Sequence, residues 1–167
     1  MNKPLTMILG LLVVSSIYAS RMSPEDAKDK AESSCYFYNT ACSLGAEISF
    51  KLNESKLSKK DKIRASINSC STDMDTDLRK ISCLHGSQFF YSNLLGQNKL
   101  KKKAMKTIPF IVYTAGHALG VSISLLNYLS DKKNFIGESK ADCELYSFDN
   151  DVLKRCHQGL EAFKGIL

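Results

Sequence analysis

The apolar positions of this chain recur at helical spacing. Ile63, Ile67 and Cys70 fall four and three residues apart on one face, and Leu78, Ile81 and Leu84 follow at three-residue intervals. Neither stretch shows the two-residue alternation of a half-buried strand. Start signals agree with this reading. Ser23-Pro24-Glu25-Asp26 supplies a capping serine, a proline at the first helical position and two acids at the positive end of the helix dipole. Ser58-Lys59-Lys60-Asp61 is a weaker start ahead of Ile63, and Thr76-Asp77 opens a helix that Gly96 can end. Farther along, Thr107 to Ser130 is mainly apolar, and Glu138 to Tyr146 and Asp151 to Phe163 read as two shorter helices. The expected fold class is all-α.

One apolar run stands apart from this pattern. After Met1-Asn2-Lys3, the stretch Leu5 to Tyr18 carries no charge and ends at Ala19-Ser20. A positive start, an apolar middle and a small-residue end describe a secretory signal peptide, with cleavage expected after Ala19. Residues 1–19 are therefore expected to be a removable leader, and the protein to be exported, either periplasmic or secreted. Without them the chain keeps 22 basic and 17 acidic side chains, a formal charge of +5.

Export changes what six cysteines mean. In an oxidising compartment an even number reads as disulfides, where in the cytosol it would suggest metal or redox chemistry. Spacing helps to pair them. Cys70 and Cys83 are separated by the same interval as Cys143 and Cys156, and both ends are offset by 73 residues. The match extends downstream, with Cys83-Leu84-His85-Gly86 and Phe90 against Cys156-His157-Gln158-Gly159 and Phe163. Upstream, Tyr38 to Gly45 resembles Tyr113 to Gly120 at an offset of 75, and Asp75-Thr76-Asp77 parallels Asp149-Asn150-Asp151. Self-similarity at a fixed period marks a repeated structural unit. Two tandem helical units are expected, 20–97 and 98–167, packed as one domain. Each would be a disulfide-bridged helical hairpin with a longer core helix.

The cysteine interval also carries geometry. Along a continuous helix, residues thirteen apart lie about 20 Å from each other, whereas a disulfide needs Cα atoms within about 7 Å. The chain must turn between them, and the Asp/Ser-rich centres at Ser71 to Asp77 and Ser147 to Asp151 supply turns. Cys70 is thus expected to pair with Cys83, and Cys143 with Cys156. Cys35 and Cys42 remain, seven residues apart. Either the helix from Pro24 breaks near Cys35 and they pair, or one is free or bonded elsewhere.

The stretch from Thr107 to Ser130 is uncharged and contains Gly116-x-x-x-Gly120, a spacing that lets membrane helices approach closely. Its length suits a span. Against that stand Pro109, Thr114, His117, Ser122, Ser124 and Asn127, and a span would put Cys143 and Cys156 across a membrane from their counterparts. A central core helix is the preferred reading, with no stable membrane span beyond the leader.

Chemistry is sparse. Asp73-Met74-Asp75-Thr76-Asp77 opens like a calcium loop, but Leu78 stands where the loop needs glycine and Leu84 where it needs glutamate. Neither a phosphate-cradling loop nor a nucleophile, zinc or Cys-x-x-Cys motif occurs, so no cofactor or catalytic residue is assigned. His85, His117 and His157 are the only histidines and define a candidate ligand pocket between the units. Lys99, Lys101, Lys102, Lys103 and Lys106 form a candidate basic interaction patch. No aromatic residues interleave to stack bases, so specific nucleic-acid binding is not expected. The expectation is an exported helical protein that works by binding another protein, for instance an inhibitor or immunity factor of a secreted toxin. The alternative is a ligand-binding or hydrolytic envelope protein with a histidine-lined cleft.

Overall fold

The structure is a computed structural model that describes residues 21–35, 40–107, 115–147 and 149–167. The expected leader at 1–19 and the first part of the uncharged stretch, 108–114, lie outside them. Eight helices and no strand occur among the described residues. In chain order they are α1 (Pro24–Ser34), α2 (Thr40–Asn53), α3 (Lys59–Thr72), α4 (Asp77–Leu94), α5 (Asn98–Thr107), α6 (Ala115–Ser130), α7 (Phe135–Tyr146) and α8 (Asn150–Lys164). Helices α4 and α6 are central: α4 packs on α1, α2, α3 and α5, α6 packs on α3, α5, α7 and α8, and the two pack on each other. None of these helices is long and apolar enough to cross a membrane.

Local chemistry sets most helix ends. Ser23 accepts the Asp26 amide at 3.1 Å, with Pro24 in the first turn. Ser58 accepts the Asp61 amide at 3.2 Å, and Thr76 the Arg79 amide at 3.3 Å. Each satisfies an amide that has no partner within its own helix. Helix α4 ends before Gly96, whose φ of 71° lets the Gln97 amide reach back to the Ser92 carbonyl at 2.7 Å. Helix α7 starts three residues ahead of the expected Glu138, and α8 begins at Asn150 behind an Asp149 cap.

Three disulfides close the chain on itself: Cys35–Cys42, Cys70–Cys83 and Cys143–Cys156, with Cα separations of 5.5, 5.5 and 5.7 Å. The first is possible because α1 stops at Ser34 with Cys35 as its C-terminal cap, so the helix from Pro24 does not run on to hold Cys35 and Cys42 apart. The other two each join the end of one helix to the body of the next across a short turn. Replacing both Cys70 and Cys83 by alanine is expected to lower the unfolding free energy by about 3 kcal/mol. Urea unfolding of the oxidised protein reads this directly.

Two helix crossings are too close for any side chain. A Cβ on Gly45 in α2 would lie 1.9 Å from the Cys83 carbonyl oxygen in α4, and a Cβ on Gly86 in α4 would lie 1.8 Å from that of Cys42 in α2. The same reciprocal relation joins α6 and α8, where a Cβ on Gly120 would lie 2.0 Å from the Cys156 carbonyl oxygen and one on Gly159 would lie 2.2 Å from that of His117. In all four helices the glycine follows the contacted carbonyl by three residues, one turn on along the same face. Backbone therefore packs directly on backbone in both halves.

The halves meet along one apolar and one polar seam. Leu84 of α4 and Leu119 of α6 line a narrow apolar crevice with Ser71, Lys80 and Tyr146. On the polar side, Lys60, Arg64 and Asn68 of α3 reach Glu138, Asp142 and Tyr146 of α7, a ladder with four-residue steps on both helices. Lys60 pairs with Glu138 at 2.7 Å, Arg64 with Asp142 at 2.5 Å, and the Tyr146 hydroxyl donates to Asn68 Oδ1 at 3.1 Å. Asp142 is fully buried and takes a second hydrogen bond from Asn127 Nδ2 at 2.8 Å. Arg64→Ala would leave that carboxylate buried without its cation, expected to cost about 2 kcal/mol once the partial exposure of the guanidinium is allowed for. Lys60→Ala removes the solvent-screened pairs with Glu138 and Asp131 and should cost clearly less than Arg64→Ala. Paired urea titrations of the two variants check the order.

Helices α4 and α8 differ in what covers them. Ile81, Leu84, His85 and Gln88 of α4 are buried. At the positions 73 residues later, Lys154, His157, Gln158 and Glu161 border an open depression on α8 together with Asn150 and Leu153. Residue type follows cover: α4 carries Ile81 and Leu84 where it is enclosed, and α8 carries Lys154, Gln158 and Glu161 where it is open.

Candidate functional site

The lysine cluster lies on one helix. Leu100, Ala104 and Met105 of α5 pack towards the core, with Ala104 fully buried. Lys99, Lys102, Lys103 and Lys106, at i, i+3, i+4 and i+7, are exposed on the opposite face. Their footprint is about 10 Å along the axis. Among the described residues, the ion pairs involve Lys28, Lys51, Lys60, Arg64, Arg79 and Lys164, and none involves these four amines.

Lys101 belongs to the core side instead. Its ammonium sits 4.8 Å from the centre of the Phe89 ring and 3.4 Å from Asn93 Oδ1. Burial, with Lys30 and Lys102 adding repulsion, pushes its pKa down. Lys101 is thus a peg that seats α5 on α4, while Lys103 donates to the Ile166 carbonyl at 3.3 Å and ties α5 to the last residues of the chain.

The three histidines occupy three different settings. His85 is buried in α4 with its ring centre 6.3 Å from that of Phe89, and desolvation lowers its pKa to about 4. His117, in α6, has Nε2 2.9 Å from the carbonyl oxygen of Thr107, the last residue of α5. Cys42 stands three residues before Gly45 as His117 stands three before Gly120, and it is bonded to Cys35 just after α1. A hydrogen bond stands at one position and a disulfide at the other. His157 borders the depression on α8, whose described lining includes neither His85 nor His117.

The acidic turn acts locally. Asp75 binds Arg79 at 3.0 and 3.2 Å, and Asp73 accepts from Thr72 at 3.0 Å. No group of three or more His, Cys, Asp or Glu side chains suited to a metal ion occurs among the described residues. The buried polar groups of α4 are partly tied into a hydroxyl network. Ser49 donates to Ser87 at 2.7 Å and its oxygen lies 3.3 Å from the Ser66 hydroxyl, which in turn lies 3.0 Å from the Tyr91 hydroxyl. Burial lifts the Tyr91 pKa to about 12, so the phenol stays neutral and holds α3 on α4.

No known protein family, curated protein or solved structure matches the chain.

Sequence reasoning missed two of these features. Helix α5 was legible as Leu100 and Ala104, four residues apart beneath a lysine run. The anchoring role of Lys101 had no sequence signal, because five neighbouring lysines look alike until one face is buried.

Proposed function

We propose that the protein is exported, is built from two copies of one four-helix unit, and acts by binding another protein. An inhibitor or immunity factor of a secreted toxin fits this mode of action. The supporting observation is that a scaffold closed by three disulfides carries the lysine face of α5, whose four outer amines pair with no acid among the described residues, while the three imidazoles occupy three different settings. Three disulfides support an oxidising compartment. Duplication is supported by the paired glycine crossings and the common order of four helices.

The ligand-binding reading keeps one foothold, the open depression beside His157. Single alanine substitutions at His117 and His157, set against charge reversal at Lys99, Lys102 and Lys106, separate the two. Loss of biological activity with the lysine reversals alone supports partner binding, and loss with His157→Ala alone supports the pocket. Lys101 stays unchanged, since its reversal would disturb the seat on Phe89 and Asn93. Sequencing the amino terminus of protein recovered from its native location tests cleavage after Ala19.

A further inference from the structure

We infer that the outer face of α5 is the docking surface of this protein, and that it receives a carboxylate-bearing helix or loop of a protein partner. The inference rests on the binding reading above and gives it a place and a chemistry. Five observations lead to it. The amines of Lys99, Lys102, Lys103 and Lys106 project from one helical face, where like charges repel unless counter-charge arrives from outside. The face is held in place rather than trailing. Lys101 seats on Phe89 and Asn93, Gln88 Nε2 lies 3.8 Å from Met105 Sδ, Lys103 reaches Ile166, and His117 meets Thr107. A surface already ordered loses little entropy on docking.

The apolar side of α5 is committed to the core, so the helix has no face to insert into a lipid surface. The charge is also compact. Four amines over about 10 Å match carboxylates three and four residues apart on a partner helix, whereas a nucleic-acid duplex rewards a longer basic track and stacking aromatics. The Lys103 bond to the Ile166 carbonyl also joins this face to a segment that carries exposed Leu167, and a charged face with an apolar contact at its edge suits a protein partner.

The test uses the full secreted chain and a synthetic helical peptide about 16 residues long that carries glutamates at i, i+3, i+4 and i+7. Amide shifts are followed by NMR near physiological salt. Saturable shifts confined to 98–107 and the last residues are expected, weakened at least about tenfold in a Lys99→Glu, Lys102→Glu, Lys106→Glu variant whose melting is unchanged. The matching arginine variant should retain binding, and a peptide with its glutamates scattered around the helix should bind at least about fivefold more weakly. Shifts centred elsewhere, or equal binding by the glutamate variant, overturn the assignment. Displacement of the peptide by a short DNA duplex or by phosphatidylglycerol vesicles at lower concentration also overturns it, in favour of those partners. The binding reading is scored separately by pull-down from an envelope extract with the wild-type chain and the glutamate variant as the two baits, where retention of a protein on the wild-type bait alone is expected. Retention on both overturns the lysine face alone, and retention on neither overturns the binding reading as well.

Discussion

Alanine at Gly86 or Gly159 is expected to cost at least about 3 kcal/mol and to lower the melting temperature by roughly 10 °C. The added methyl would meet a backbone carbonyl oxygen at 1.8 Å in one case and 2.2 Å in the other. A flexible side chain could turn away from such a contact, but a carbonyl within a helix cannot. Relief requires the two helices to part, and Phe90 and Phe163, both fully buried four residues after these glycines, would lose packing as they did. The disulfides worsen the problem, because Cys83 and Cys156 are clamped three residues before the glycines that would have to move. Gly137 is the control. Nothing lies within 4 Å of a Cβ built there, and the residue is inside α7. Gly137→Ala should therefore stabilise by about 0.5–1 kcal/mol through helix propensity alone. Thermal melts and urea titrations of the three variants decide the matter. Wild-type stability in Gly86→Ala would mean that α2 and α4 do not cross as described.

How much of this was legible in the sequence depended on whether a residue's role is set by its neighbours in the chain. Caps are local, so Ser23, Ser58 and Thr76 could be read directly, each from the three residues that follow it. The pairing of Cys70 with Cys83 followed from the interval it shares with Cys143 and Cys156, and distance then required a turn between the two cysteines. The crossing glycines were visible as matching letters, but nothing in the letters says that a carbonyl of another helix lies against them. Other matches were there to be found. Leu44-Gly45 with Ile48-Ser49 parallels Leu119-Gly120 with Ile123-Ser124, and Ile63 with Ser66 parallels Ile136 with Ser139. These serines are buried and hold or adjoin the polar seams, yet serine is read by default as a surface residue. The histidines were hardest to read. One short motif, Cys-x-His-Gly against Cys-His-x-Gly, places a fully buried imidazole at 85 and a half-buried one beside an open depression at 157, because a one-residue step along a helix turns a side chain by about 100°.

That difference makes His85 the main source of acid sensitivity. Its pKa in the folded protein is about 4, against 6.5 for an unperturbed histidine, and the cause is burial. Between these values the unfolded chain binds a proton that the folded chain does not. Unfolding therefore takes up protons, and stability must fall as the pH drops through this window. The shift corresponds to about 3 kcal/mol lost between pH 7 and pH 4, with the loss levelling off below the folded pKa. Asp131 does not confuse the measurement. Hydrogen bonds from Asn134 and from the Lys133 amide hold its pKa near 2, so its contribution disappears only between about pH 4 and pH 2. Urea unfolding at a series of pH values should show the wild-type loss, while His85→Gln, whatever its stability at pH 7, should lack this component. The difference between the two proteins cancels the carboxylates they share. If the two curves ran parallel from pH 7 to pH 4, His85 would have to be reaching water in the native state, and the close packing of α4 between the halves would be wrong at its centre.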